Sequence, residues 1–243
     1  MTDFSSTSVS TAKLPGKLKA FIFRDTHVLS EDEPIYAINW FNTKMQWMYD
    51  FYNFLAVKAV RKIGGVPFFK GKYINTLQGE ADMRRDILLV VRYPAITQFA
   101  VMLADGYFLA VSLIRMLAVK DFTFGLTKRS DAGPDLSLKL AMDSSSVSYA
   151  VHHFKAPDGF DIKLSQLIAE SSVELFYAGS IKARIATGKT EEGCSTIPCL
   201  MDGLIILKSE EAGLIEALIA RPEYQSLIAK TDSSFVGLYK RLL

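Results

Sequence analysis

Cysteine is almost missing from this 243-residue chain: Cys194 and Cys199 are the only two, and histidine is limited to His27, His152 and His153. A disulfide framework needs more cysteines, and a zinc site needs further Cys or His ligands at a spacing these histidines do not offer. The expectation is two free thiols in a reducing cytoplasm and no metal. An excess of one charge is missing too, with 28 Lys and Arg against 26 Asp and Glu, a formal +2. That balance makes neither nucleic acid nor a membrane an expected partner. The most apolar stretch, Ala95–Val119, is interrupted by Asp105, Gly106 and Arg115, so it reads as a buried helix rather than a membrane span. The start, Met1–Gly16, is rich in Ser and Thr and lacks the basic-then-apolar layout of a secretory signal, so a flexible tail is expected there. Residues 17–33, with KAFIF at 19–23, are expected to add an edge strand or arm. No G-x-S-x-G elbow, Gly-rich phosphate loop, helical His pair or carboxylate cage is present. What is abundant is apolar surface: 49% hydrophobic and 12% aromatic residues exclude a disordered chain.

The sequence repeats itself. Tyr36–Phe41 (YAINWF) matches Tyr149–Phe154 (YAVHHF) at an offset of 113, and Gly71-Lys72 matches Gly188-Lys189 at 117. Asp86-Ile-Leu-Leu-Val-Val matches Asp202-Gly-Leu-Ile-Ile-Leu at 116, Tyr107 matches Tyr224 at 117, and Phe124–Arg129 matches Val236–Arg241 at 112. The drift falls between elements, where insertions are tolerated. Hydrophobic periodicity predicts strands at 35–41, 66–77, 86–93 and 122–128, with helices at 44–63 and 95–119. The second half predicts strands at 147–154, 182–190, 202–208 and 234–241, with helices at 161–178 and 210–230.

Strand–helix–strand–strand–helix–strand is the ferredoxin-like unit. Helices cover one face of such a four-stranded sheet, yet these strands are apolar on both faces. The second face is expected to be buried against the other sheet, giving an α+β fold in which two tandem units form an eight-stranded barrel with helices outside. The expected organisation is a tail and arm at 1–33, a first unit at 34–129, a Gly/Pro/Ser-punctuated linker at 130–146 and a second unit at 147–243.

Ala37-Ile-Asn-Trp-Phe41, Gly64-Gly65, Leu77-Gln-Gly-Glu80, Asp86–Pro94 (DILLVVRYP) and Phe99–Tyr107 with Arg115 and Ala118 resemble the dimeric α/β-barrel superfamily, in a branch without an assigned function. Arg221-Pro-Glu-Tyr-Gln225 matches the same helix motif in the second half. The resemblance covers most of 34–129 and, more weakly, 147–241. It implies the barrel fold and a range of chemistries: cofactor-free monooxygenases, polyketide cyclases, isomerases, dehalogenating and decarboxylating enzymes, and haem enzymes. Fold analogy does not choose among them. The haem branch, which includes the chlorite dismutases, is similar in architecture only. Its axial histidine lies on a helix of the second half, where 161–178 and 210–230 contain none.

The first strands of the two halves place Asn39-Trp40 against His152-His153. Adjacent strand residues point to opposite faces, so one histidine is expected in the barrel and one toward the helices, with His152 and Asn39 sharing a face. Histidine titrates near neutrality, which makes His152 and His153 the candidate catalytic acid or base, against the alternative of hydrogen-bonded structural histidines. Arg92, at the end of a central strand, is a candidate carboxylate or enolate clamp, and Glu80 a carboxylate at the barrel mouth. Tyr73, Asn39 and Trp40 complete the candidate substrate contacts. The expected activity is cofactor-independent, His-assisted proton transfer on a small apolar, aromatic or polyketide-like molecule in a barrel cavity: isomerisation, cyclisation, elimination or cofactor-free oxygenation. The alternatives are a non-catalytic binding or assembly protein and a haem protein. Exposed sheet edges leave a homodimer open.

Overall fold

Strict alternation of two kinds of buried side chain governs the strand β1 (Ile35–Thr43): Ile35, Ala37 and Phe41 join one core, while Tyr36, Ile38 and Trp40 join another. A strand buried on both faces needs cover on both, and the computed structural model, which describes residues 33–80, 84–130, 147–156, 159–186 and 201–242, shows how it is supplied. The strands β1, β2 (Val66–Gln78), β3 (Ile87–Tyr93), β4 (Val119–Arg129), β5 (Ser148–Lys155), β6 (Glu174–Ala186), β7 (Gly203–Ser209) and β8 (Ser233–Arg241) close into one barrel in the order β1-β3-β2-β8-β5-β7-β6-β4. Every neighbouring pair is antiparallel. The helices lie outside: α1 (Gln46–Lys62), α2 (Ile96–Ala104) and α3 (Gly106–Ala118) over the first four strands, and α4 (Phe160–Ala169), α5 (Ala212–Ile219) and α6 (Pro222–Ile228) over the last four. This is the α+β barrel that the two-sided apolar strands predict.

Where the elements differ from expectation, the cause is local. The 95–119 helix is two helices bent by 80°, because Asp105 leaves the helical conformation and caps α3 with its side chain, accepting from the Phe108 amide at 3.0 Å. The 210–230 helix breaks at Arg221-Pro222, with proline at the first position of α6. The helix after β5 ends at Ala169 rather than 178. Ser171 turns the chain there, its hydroxyl donating to the Ile168 carbonyl at 2.7 Å and accepting from the Val173 amide at 3.1 Å. β6 therefore begins at Glu174, earlier than 182. No single helix among the described residues is long and apolar enough to cross a membrane. Residues 1–32, the linker 131–146, Glu191, Glu192, Cys194 and Cys199 lie outside the described residues.

The barrel interior is filled by rings. Tyr36 and Tyr177 lie 4.9 Å apart between centroids, Phe68 and Phe176 5.1 Å, and Phe69 and Tyr149 5.1 Å. A bulge between Pro67 and Phe69 brings both Phe68 and Phe69 into this cluster. Gly237 leaves room between Phe235 and Tyr239, where an added Cβ would stand 2.8 Å from the Tyr239 ring. Arg241 lies over the Tyr149 and Phe176 rings at 5.9 and 5.5 Å. The expectation of a ligand cavity inside the barrel is thereby corrected: bulky inward side chains occupy that space.

Tyr177 is fully buried and shares a 2.6 Å hydrogen bond with Thr127 across β4 and β6. Tyr177→Phe is expected to cost about 1 kcal/mol, the hydrogen bond alone. Tyr177→Ala, which also leaves a hole, is expected to cost about 3–5 kcal/mol. Urea unfolding of the two variants measures both, and equal losses would show that the ring contributes nothing beyond its hydroxyl.

Candidate functional site

Antiparallel register lines up residues across the outer face of the first four strands. Phe124, Asn39, Leu89 and Lys70 form one row over β4, β1, β3 and β2; Leu126, Ala37, Val91 and Pro67 form the next. The small Ala37 and Pro67 leave a hollow under the helices, and α1 answers with Ala56, Val57 and Val60 beside Tyr52. The result is a cavity of about 330 Å³ between sheet and helices. Tyr93, Phe99, Phe108, Phe122 and Phe124 form its aromatic walls. A size and lining of this kind suit a small, largely apolar ligand.

Polar groups enter that cavity from five elements. Asn39 donates its amide protons to the carbonyls of Leu89 at 3.3 Å and Ala37 at 3.4 Å, which leaves Oδ1 as an acceptor. Asn53 on α1 has a buried Nδ2 without a hydrogen-bond partner. Lys70 on β2 sits with Nζ 5.1 Å from the centre of the Tyr49 ring, and desolvation lowers its pKa while the charge on Asp50 opposes the shift. Arg115 on α3 places its guanidinium 4.3 Å from the Phe122 ring centre and 5.8 Å from that of Tyr52. Burial raises the pKa of Tyr52, against the opposing charge of Arg115. Burial likewise raises that of Tyr93, whose hydroxyl donates to the Met102 sulfur at 3.5 Å. The lining thus holds two cations, two amides and two phenols, and no carboxylate or histidine.

The residues singled out from sequence scatter around this site. Asn39 lines it. Trp40 points into the barrel, where its indole Nε1 donates to His153 Nε2 at 3.2 Å. Tyr73 is hydrogen-bonded to Thr76 at 2.7 Å beside Tyr239, away from the cavity. Arg92 is half-buried and pairs in register with Tyr36, and Glu80 is exposed after β2; neither lines the cavity.

The histidines lie in the other half, as the alternation predicts: His152 faces the helices in the position of Asn39, and His153 faces the barrel. His152 is held at 2.8 Å by Tyr224 on Nδ1 and at 2.8 Å by Ser234 on Nε2. Tyr224 and Phe160 fill the space that stays open over Asn39. This placement corrects the expectation of histidine chemistry at the ligand site: both rings are buried, and neither lines the cavity. The same packing leaves neither of these two rings free to serve as an axial ligand to haem iron.

Lys70, Asn53 and Arg115 were missed, although each is a polar residue on a buried face. Lys70 follows the apolar Pro67-Phe68-Phe69, Asn53 lies between Tyr49 and Ala56 on the inner stripe of α1, and Arg115 is the one charge within α2 and α3.

No family model and no curated protein matches the chain. Solved structures do share its fold. A protein from Fusobacterium nucleatum subsp. nucleatum, provisionally named a monooxygenase, is 9% identical, with 88% of this chain and 94% of that one covered at a TM-score of 0.51. An anthrone oxidase-like protein is 10% identical, with 88% and 94% covered at 0.50. A chlorite dismutase variant from Candidatus Nitrospira defluvii is 12% identical, with 89% and 95% covered at 0.45. At this identity the first two show a shared fold, an α+β barrel, closed here within one chain.

Desolvation lowers the pKa of both His152 and His153 to about 3, with a further lowering of His153 by the charge of His152. The unfolded chain binds these protons below about pH 6.5, while the fold excludes them until about pH 3, so stability is full above pH 6.5 and falls as pH drops through that window. Between about pH 6.5 and 5, above the carboxylate range, His153→Gln is expected to halve the slope of unfolding free energy against pH. Chemical denaturation at stepped pH reads it, and an unchanged slope would mean that His153 is protonated in the fold.

Proposed function

We propose that this chain is a duplicated ferredoxin-like unit, 34–129 and 147–243, in which the first half retains a ligand cavity and the second has filled its own. Support for the duplication comes from the strand order, β4-β1-β3-β2 followed by β8-β5-β7-β6, with Asn39 and His152 at matching positions. The ligand we infer is a small planar aromatic or polyketide-like molecule with an acidic phenol or enol oxygen. The observation that carries this reading is the cavity lining: aromatic walls and the cations Lys70 and Arg115, with no carboxylate in the lining itself and the Asp50 charge acting on Lys70 from outside it.

The chemistry follows from that donor set. Burial shifts Lys70 toward its amine form, against the charge of Asp50; in that form it would accept the phenol or enol proton and become the counter-ion of the oxyanion. Arg115 adds a second, permanent cation, and Asn39 and Asn53 orient the ring. An electron-rich anion of this kind is the species that isomerises, cyclises or reacts directly with molecular oxygen. In the oxygenation, a ring CH2 becomes C=O, with one oxygen atom retained and the other leaving as water. Two barrels of this fold carry monooxygenase and anthrone oxidase-like names, which puts this reaction among those to assay first. A second reading, a carrier without turnover, is favoured by the lack of any lining histidine or carboxylate.

1-Naphthol and naphthalene serve as binding probes, and anthrone with an oxygen electrode as the turnover probe. Lys70→Met and Arg115→Met are each expected to weaken 1-naphthol binding about 10- to 100-fold, the scale of a charge-assisted hydrogen bond, and to leave naphthalene unchanged. Equal binding of 1-naphthol by the variants and the parent would sink the reading. Binding without oxygen uptake or another product selects the carrier.

A further inference from the structure

The two helices that roof the cavity present an apolar outer face. On α1, Trp47, Phe51 and Phe54 repeat at helical spacing and stand exposed, Trp47 by 67% and Phe54 by 74%. On α3, Leu113, Met116 and Leu117 do the same. The helices run antiparallel side by side. At one end Lys62 pairs with Asp105 at 3.4 Å, and at the other the Ala118 carbonyl accepts from the amides of Lys44 at 2.8 Å and Met45 at 3.1 Å. The two stripes therefore form one continuous face. Over the second half, exposed large apolar side chains on the helices are only Ile162 and Leu214. An exposed patch of this size on one side of a molecule marks a docking surface.

Charge identifies what docks there. Lys44 and Lys120 stand exposed at one end of the helix pair, and Lys58 and Arg61 at the other; among the described residues none has a carboxylate within ion-pair distance. Of the nearby acids Asp105 is ion-paired, with Lys62, while Asp50 and Asp121 accept from the neutral amides of Gln46 and Asn42 and keep their charge. Apart from Asp105, no carboxylate occurs between Ile96 and Ala118. The Lys58 and Arg61 end therefore carries the cationic excess, while Asp50 and Asp121 offset Lys44 and Lys120 at the other. An aromatic and aliphatic face with Lys and Arg at its edge is the pattern of helices that lie in a bilayer surface, with basic groups at the anionic headgroups and rings at the acyl boundary.

We propose that α1 and α3 dock the protein on an anionic lipid surface without crossing it. A bilayer is also where an apolar ligand for the underlying cavity collects. This is a change from the expectation that no membrane is a partner. It is independent of the chemistry proposed for the cavity.

Trp47 supplies the test, since the chain's other tryptophan, Trp40, is buried. Vesicles of phosphatidylcholine with phosphatidylglycerol are expected to sediment with the full-length protein and to shift Trp47 emission to shorter wavelength. Pure phosphatidylcholine, or high salt, is expected to weaken both effects. Lys58→Gln/Arg61→Gln is expected to reduce binding about tenfold or more, and Phe54→Ser/Leu113→Ser to abolish the shift, with circular dichroism unchanged. Trp47→Phe should sediment but lose the emission change. Three results overturn the proposal: no binding to anionic vesicles, a lipid-free dimer by light scattering in which Trp47 is shielded from acrylamide, or a monomer in which Trp47 is already shielded.

Discussion

The pairing of β2 with β8 and of β4 with β6 is what the rest of the molecule depends on. A four-stranded sheet covered by helices on one side has two unpaired edges and one apolar face in water. Joining two such sheets edge to edge removes all four edges and turns both bare faces inward. The interior must then be filled, and aromatic rings from all around the barrel fill it, with glycine where a ring crosses close to a neighbouring strand. A barrel packed in this way is a rigid post. Among the described residues, the cavity lies outside it, between sheet and helices.

The two halves treat that space differently, and the contrast explains the site. In the second half, Tyr224 comes inward from α6 to bond His152, and Phe160 packs behind it. In the first half, Asn39 replaces the histidine, and Tyr107 stays at the surface with its hydroxyl on the Leu55 carbonyl at 3.2 Å. A shorter side chain below and an absent ring above leave the cavity. Both histidines are thereby committed to holding the fold, buried and neutral. The charged groups that face the cavity are a lysine and an arginine, with no carboxylate in the lining and the Asp50 charge acting on Lys70 from outside it.

Much of the fold was legible from residues alone. The repeat anchors, the two-sided apolar strands and the punctuation at Gly64-Gly65 and Pro94 predict the element order, and the barrel follows because nothing else covers the second face. The opposite orientation of His152 and His153 follows from strand geometry. Helix breaks were less legible, since Asp105 and Arg221-Pro222 interrupt apolar runs without disturbing their periodicity. The site was legible only at Asn39. Rare histidines in a repeated strand drew attention away from Lys70, Asn53 and Arg115, which single-residue chemistry does not distinguish from surface polar groups.

Secondary structure, the pairing of each residue with one face, and the need for closure are local or topological consequences of side-chain order, so the sequence by itself determined them. Whether an inward or outward face is filled depends on how side-chain volumes from distant elements sum in one place: Tyr224 against His152 in one half, Ala37 against Ala56 in the other. That sum is not a property of any segment, and only the tertiary structure decided it.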